Sequence, residues 1–205
     1  MYRPLRYRKD DPEYIKSFIK KHPFATFVTK GANLLATHIP VLLEEDGSNW
    51  KLFGHIANHN DQIGNICDGE EALIIFSGVN GYISSSWYEE KDISTWDYTA
   101  VHVNAKIIKQ SNQELENSLQ KLVSNFEKNQ ESPLYYKEIP KQMREEHLPL
   151  ITGFWLEPIK IQGVAKLHQS YQREDVKNSI SHLENSGNPC DSELAKAIRK
   201  ENNIE

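Results

Sequence analysis

Apolar and polar residues alternate through much of the middle of this chain. In TAVHVNAKI, Val101, Val103 and Ala105 fall on one side while His102, Asn104 and Lys106 fall on the other. That period of two marks a strand with one packed face. Short runs rich in β-branched and aromatic residues cover 24–29, 34–43, 50–56, 72–79, 81–84, 98–109 and 152–167, separated by Gly, Asn and Asp. Gly78 and Gly81 read as the join between two of these strands. The period changes to that of a helix in a few places. Asp11 and Pro12 begin one, with Ile15, Phe18 and Ile19 on one face and Pro23 as its stop. Asn112 is placed to cap a second, whose Leu115, Leu119, Leu122, Val123 and Phe126 form an amphipathic stripe suited to lie on a sheet. A shorter helix fits 140–147. Two more fit 173–184, striped by Val176, Ile180 and Leu183, and 193–200, striped by Leu194, Ala197 and Ile198, with NSGNP at 185–189 as the break between them. The pattern predicts a mainly β, α+β fold in which antiparallel strands close into a barrel, carrying flanking helices and a helical appendage.

Composition narrows the functional classes. The 205 residues carry 24 Lys and Arg against 29 Asp and Glu, a formal charge of −5, so no broad basic surface is available to grip a polyphosphate. Cys67 and Cys190 are the two cysteines, too few for a disulfide framework or a four-thiolate metal site. No stretch approaches the roughly 20 apolar residues of a membrane helix, and the basic start MYRPLRYRKDD leads into no apolar run. The expectation is a cytoplasmic protein in a reducing compartment.

Familiar catalytic patterns are missing. His55 and His59 stand four apart with Cys67 beyond them, but the strand-to-loop context removes the helical geometry that would make this a zinc motif, so no metal is expected. His38 and His102 read as structural strand residues, and His22 and His147 as surface ones. There is no nucleophile elbow around Ser84, Ser85 and Ser86, and no phosphate or dinucleotide loop. The helix pair around Gly187 is the one place that approaches a helix-turn-helix, and its Lys196, Arg199 and Lys200 are offset by Glu193 and Glu201. What stands out is GYISSSWYEEKDISTWDYTAVH, where Tyr82, Trp87, Tyr88, Trp96 and Tyr98 are interleaved with small hydroxyls. That mixture suits a flat conjugated ligand, gripped by stacking and hydrogen-bonded at its edge; it equally suits a barrel core under a lid. The polar turn of His55, Asn58, His59 and Asn60 offers amides for an anion, or simply a capped turn.

Taken in order, MYRP, HPFATFVT, LLATHIPVLLE, LFGHIANHN, IIFSGVNGYISSSWYEEK, TWDYTAVHV and AKLHQSYQREDV resemble the PaiB-like family, the FMN-binding negative transcriptional regulators of the split-barrel flavin-binding superfamily. The resemblance implies a six-stranded split β-barrel over 1–170, a C-terminal helical extension over 171–205 packed on it, and a homodimer with FMN at the subunit interface. It implies that Ala36, Thr37, His38, Ile39 and Pro40 run along the isoalloxazine and that His55, Ala57, Asn58 and Asn60 face the phosphate. Tyr82, Ser84, Trp87, Tyr88 and Trp96 would line the pocket from the partner chain, with Lys166 and Gln169 approaching the same cleft. The sequence departs from the family pattern at Asn58, where an Arg is usual, and at Ser85, Asp97, His168 and Ser170. Without a guanidinium opposite the phosphate, a contact worth about 1.5–3 kcal/mol is lost and FMN occupancy falls. Asp97 adds a charge that opposes an anion unless it turns outward or pairs. The family label implies a ligand- or redox-sensing regulatory dimer, with a DNA or transcription-related partner whose direct contact with DNA the charge pattern disfavours. The alternative is an FMN-dependent oxidoreductase in which His38, His102 or Tyr88 serves as proton donor or acceptor.

Overall fold

A computed structural model describes residues 1–46 and 49–204, so Glu205, the last residue of the expected extension, lies outside the described residues. Seven strands form one sheet: β1 (Phe24–Lys30), β2 (Leu34–Pro40), β3 (Leu42–Asp46), β4 (Asn49–Ala57), β5 (Glu71–Ile83), β6 (Thr95–Lys109) and β7 (Ile151–Lys166), in the order β2-β1-β5-β6-β7-β4-β3. The pairings β1–β2, β1–β5, β3–β4 and β4–β7 are antiparallel. Helices α1 (Pro12–Lys21), α2 (Asn112–Glu127), α3 (Lys141–His147), α4 (Arg173–Glu184) and α5 (Pro189–Glu201) complete the fold.

The mainly β architecture with flanking helices matches expectation; the strand count is seven where six were expected. Two local features redraw the strands. The run 34–43 divides because Pro40 cannot donate to a ladder and Val41 leaves the sheet, its N–H bonded to the Pro23 carbonyl at 2.8 Å. Past Val41 the chain changes partner, from β1 to β4. Conversely, the runs 72–79 and 81–84 merge into one strand, β5, which ends at Ile83. Gly78 and Gly81 make no turn there; they make room. A Cβ on Gly78 would lie 2.3 Å from Thr99 Oγ1 and 2.8 Å from Phe18 Cζ, and one on Gly81 would lie 2.7 Å from Leu194 Cδ2. In β6 the alternation is as read, with Val101, Val103 and Ala105 fully buried.

The chain forms two compact units. One comprises residues 1–18, 77–101 and 162–205, the other 19–76 and 102–161. In the second unit, Phe27 and Phe154 stack at 4.9 Å between centroids, and Leu52, Ile74, Phe76 and Ile107 are fully buried as they are. Gly54 of β4 faces Ile39 and Pro40 of β2 there, so a Cβ on it would sit 3.4 Å from each. Helix α2 is capped by Ser111, one residue before the expected cap. The Ser111 hydroxyl accepts from the Glu114 N–H, and Glu114 accepts from the Ser111 N–H at 2.8 Å, a complete capping box. In the first unit, Ile83, Ala165, Leu167, Val176, Ile180, Leu183, Leu194, Ala195 and Ile198 make a continuous core. Each such buried Leu or Ile contributes about 1.5–3 kcal/mol relative to exposure. Gly187, at φ +75°, makes the left-handed turn between α4 and α5, and Asn188 caps α5 through the Cys190 N–H.

Candidate functional site

The expected residues fall into two groups, one in each unit. In the second unit the chain leaves β4 at Ala57 into a polar turn. The Asn60 N–H closes it on the Ala57 carbonyl at 2.9 Å, and the Asn60 side chain accepts from the Gln62 N–H at 2.9 Å. Asn60 Nδ2 donates to the Thr37 hydroxyl of β2 at 3.0 Å. Thr37 is therefore an acceptor to Asn60, and its own proton is left to donate. Gln62, 1% exposed, anchors the turn: its Nε2 lies 3.2, 2.9 and 3.1 Å from the Phe27 carbonyl, the Thr29 hydroxyl and the Leu35 carbonyl. Its Oε1 is buried with no partner, an orphaned acceptor of the kind a ligand hydroxyl or N–H satisfies.

Two cavities flank this turn. The first, about 240 Å³, is polar and lined by Leu35, Ala36, Thr37, His59, Asn60, Asp61 and Gln62. The second, about 550 Å³, is more apolar and lined by Ala57, Asn58, His59, Pro149, Leu150 and Ile151. His59 borders both, and its exposed ring has no hydrogen-bond or ion-pair partner among the described residues. Asn58 does not point a free amide at either. Its Nδ2 donates to the Pro149 carbonyl at 2.8 Å, its Oδ1 accepts from Thr152 at 2.6 Å and its N–H bonds the Leu150 carbonyl at 2.9 Å. It pins the segment that walls the apolar cavity. His55 is half-buried in β4, and burial holds its imidazole below the ordinary histidine value. His38 is exposed on β2 and stacks on Phe24 at 6.0 Å, while Ile39 is buried.

In the first unit, Tyr82, Trp87 and Trp96 line a third cavity of about 440 Å³ with residues of α4 and α5. The other expected members have their polar atoms engaged inside the protein. Ser84 caps the short turn 85–87 through the Ser86 N–H. Gln169 accepts from the Leu167 N–H at 2.7 Å and donates to the Ala165 carbonyl at 2.6 Å and to Glu201 at 3.1 Å. Lys166 donates to the Thr95 hydroxyl, to the Trp96 carbonyl at 2.7 Å and to Asp97 Oδ1 at 3.2 Å, which uses all three ammonium protons. Tyr88, buried, reaches His168 Nε2 at 3.0 Å, and His168 Nδ1 reaches Asp97 Oδ2 at 2.6 Å.

This last chain is internally consistent. A neutral His168 donating from Nδ1 to the carboxylate accepts from the Tyr88 hydroxyl at Nε2, while Lys166 balances the charge of Asp97. Burial drives the Tyr88 phenol upward, so it remains a donor across the physiological range. The Asp97 charge expected to oppose an anionic ligand is thus paired internally. Sequence reasoning missed Gln62, whose polarity within NHND-Q gave a weak cue, and the 149–151 wall, which carried none.

The fit to a flavin nucleotide follows from these groups. The polar cavity offers the Thr37 hydroxyl, the His59 ring and the turn to an anionic or polyhydroxylated end, and Gln62 Oε1 to a donor. Its lining contains one carboxylate, Asp61, and no Lys or Arg. The apolar cavity beyond His59 suits a flat ring. The residues therefore fit the group, with hydrogen-bond donors in place of a guanidinium.

The chain is similar to known proteins over most of its length. Residues 1–162 match the family described as "Putative FMN-binding domain". The chain is 31% identical over 199 residues to the Protease synthase and sporulation protein PAI 2 of Bacillus subtilis, covering 97% of this chain and 96% of that one. It is 33% identical over 102 residues to the Uncharacterized protein YKL070W of Saccharomyces cerevisiae, 46% of this chain and 60% of the other. In fold it is similar to an FAD and heme binding protein from Mycobacterium smegmatis, with TM-score 0.58, 14% identity and coverage of 83% and 79% of the two chains. It is also similar to a flavocytochrome from Azotobacter vinelandii, with TM-score 0.59, 14% identity and coverage of 86% and 78%.

Proposed function

Because the chain belongs to the FMN-binding domain family that its first 162 residues match, we propose that it is a regulatory flavoprotein holding FMN at the turn after β4. The observation that carries this reading is the turn 57–62, which sets a polar cavity and an apolar one on either side of His59. Thr37, His59 and Asn60 hold the phosphate and ribityl end. Gln62 Oε1 takes a ribityl hydroxyl, and the backbone of 36–40 and the 149–151 wall face the ring. When bound, FMN supplies hydride or single-electron chemistry; the chain's own residues bind and orient it. A second copy of the chain closes the site as a homodimer.

The regulatory half of the proposal draws on the relative in Bacillus subtilis, named for protease synthesis and sporulation, which aligns over nearly the whole chain. Direct contact with DNA through α4 and α5 is disfavoured by charge. Lys196 pairs with Glu193 at 2.6 Å and Arg199 with Glu184 at 2.7 Å, leaving little basic surface for a groove. The regulatory signal is therefore proposed to pass to a protein partner. Titrating FMN with purified protein and following flavin fluorescence tests the binding. Saturable quenching that weakens in Gln62→Leu supports the site; equal affinity in that variant refutes it.

A further inference from the structure

The cavity in the first unit takes in Tyr82, Trp87 and Trp96, which the family resemblance places along a partner's FMN, together with α4 and α5 residues to which the resemblance gives no role. Its walls are aromatic. Tyr82 and Trp96, 52% and 54% exposed, lie with ring centroids 6.3 Å apart at 56°, and Trp87 stacks on His182 at 5.0 Å and 9°. The Trp96 indole donates to Asn80 Oδ1 at 3.2 Å, which fixes the ring while leaving it open to solvent. Two large rings held this way without burial lose apolar contact that a ligand would restore. The floor is small, because Gly81 carries no side chain where Leu194 approaches.

The cavity's electrostatics are one-sided. Among its lining residues Asp191 is the acid, and no Lys or Arg stands there. The Asp191 carboxylate makes no ion pair among the described residues, and a Cβ on Gly81 would lie 3.9 Å from its Oδ1, which places that oxygen at the cavity floor. Asp191 sits in the first turn of α5. The lining also holds His182, whose ring is stacked against Trp87, and Cys190, next to Asp191 in the chain. A negative charge and exposed aromatic faces in one concavity attract a cation.

We propose that this cavity is a binding site for an organic cation, a substituted ammonium on a small apolar body. The ammonium lies over the Tyr82 and Trp96 rings with Asp191 as its counter-charge, and the apolar body packs toward Trp87. This site is independent of FMN and of the turn after β4. Its α4 and α5 residues lie beyond the segment that the family match covers.

The test uses the full chain in isothermal titration with three probes of similar size and different charge: benzyltrimethylammonium, benzyl alcohol and benzenesulfonate. Benzyltrimethylammonium binds at one site per chain, at least tenfold tighter than benzyl alcohol, and benzenesulfonate is the weakest. Asp191→Asn weakens the cation about tenfold and leaves benzyl alcohol unchanged. Trp96→Ala, at an exposed position that does not threaten folding, weakens the cation at least fivefold. Equal binding of cation and alcohol, an unchanged cation affinity in Asp191→Asn, or no cation binding at 10 mM overturns the proposal. So does competition by FMN, which would assign the aromatic wall to the flavin instead.

Discussion

Replacing Asp97 by Ala removes the charge that two cationic or polar groups share. Asp97 is fully buried; Lys166 Nζ lies 3.2 Å from one oxygen and His168 Nδ1 lies 2.6 Å from the other. The variant leaves the ammonium of Lys166, whose side chain is 13% exposed, with the Thr95 hydroxyl and the Trp96 carbonyl but no counter-charge, and the His168 Nδ1–H with no acceptor. Breaking a buried pair from one side costs about 3–5 kcal/mol because the orphaned charge remains desolvated. Each kcal/mol lowers Tm by about 2–4 °C for a chain of this size, so Asp97→Ala melts roughly 10 °C below the parent. The distinguishing measurement is a double-mutant cycle with Lys166→Met, by urea denaturation. If the orphaned ammonium is the cause, removing it in the Asp97→Ala background restores stability, and the coupling reaches about 2 kcal/mol or more. Additive losses, with coupling below about 0.5 kcal/mol, would show that the ion pair does not carry the cost and that the reasoning is wrong.

Other consequences follow from the same geometry. Asn60→Asp sets a carboxylate beside the proposed phosphate position and weakens FMN at least tenfold in a fluorescence titration; unchanged affinity would move the phosphate away from that turn. Gly78→Ala forces a Cβ against Thr99 and Phe18 and destabilises by about 1–3 kcal/mol, which thermal melting reads directly; an unaltered Tm would contradict the close approach. Burial holds His55 and His22 below their ordinary 6.5, so below that pH the unfolded chain binds protons these side chains resist in the fold. Urea stability therefore falls as pH drops through about 6.5 and below, and His55→Gln makes that fall shallower; an identical slope in the variant would refute the assignment.

Much of the fold was legible because its signals are local. The period in 99–107 and the stripes of α1 and α4 depend on neighbours a few residues apart, and each element formed there. The misread joins depend on distant partners. Val41 ends a strand because β2 and β3 pair with different neighbours, and Gly78 is a site of close packing against Phe18 and Thr99. The turn at 57–60 was readable from its Asn and His content. Its apolar wall at 149–151 was not, since nothing in LPLI signals that Asn58, some ninety residues earlier, will fasten it. The Tyr88–His168–Asp97 chain was hidden for the same reason: three polar residues in separate segments are matched in charge and hydrogen-bond direction only once folding brings them together.

The central claim is that FMN is held at the turn after β4, between the polar cavity and the apolar one. The most direct measurement is a fluorescence titration of FMN with the purified chain, repeated with His59→Glu, whose exposed side chain borders both cavities. One FMN per chain, with affinity reduced at least tenfold in the variant, is the predicted result. A chain that takes up no FMN, or a variant that binds it as tightly as the parent, would contradict the claim.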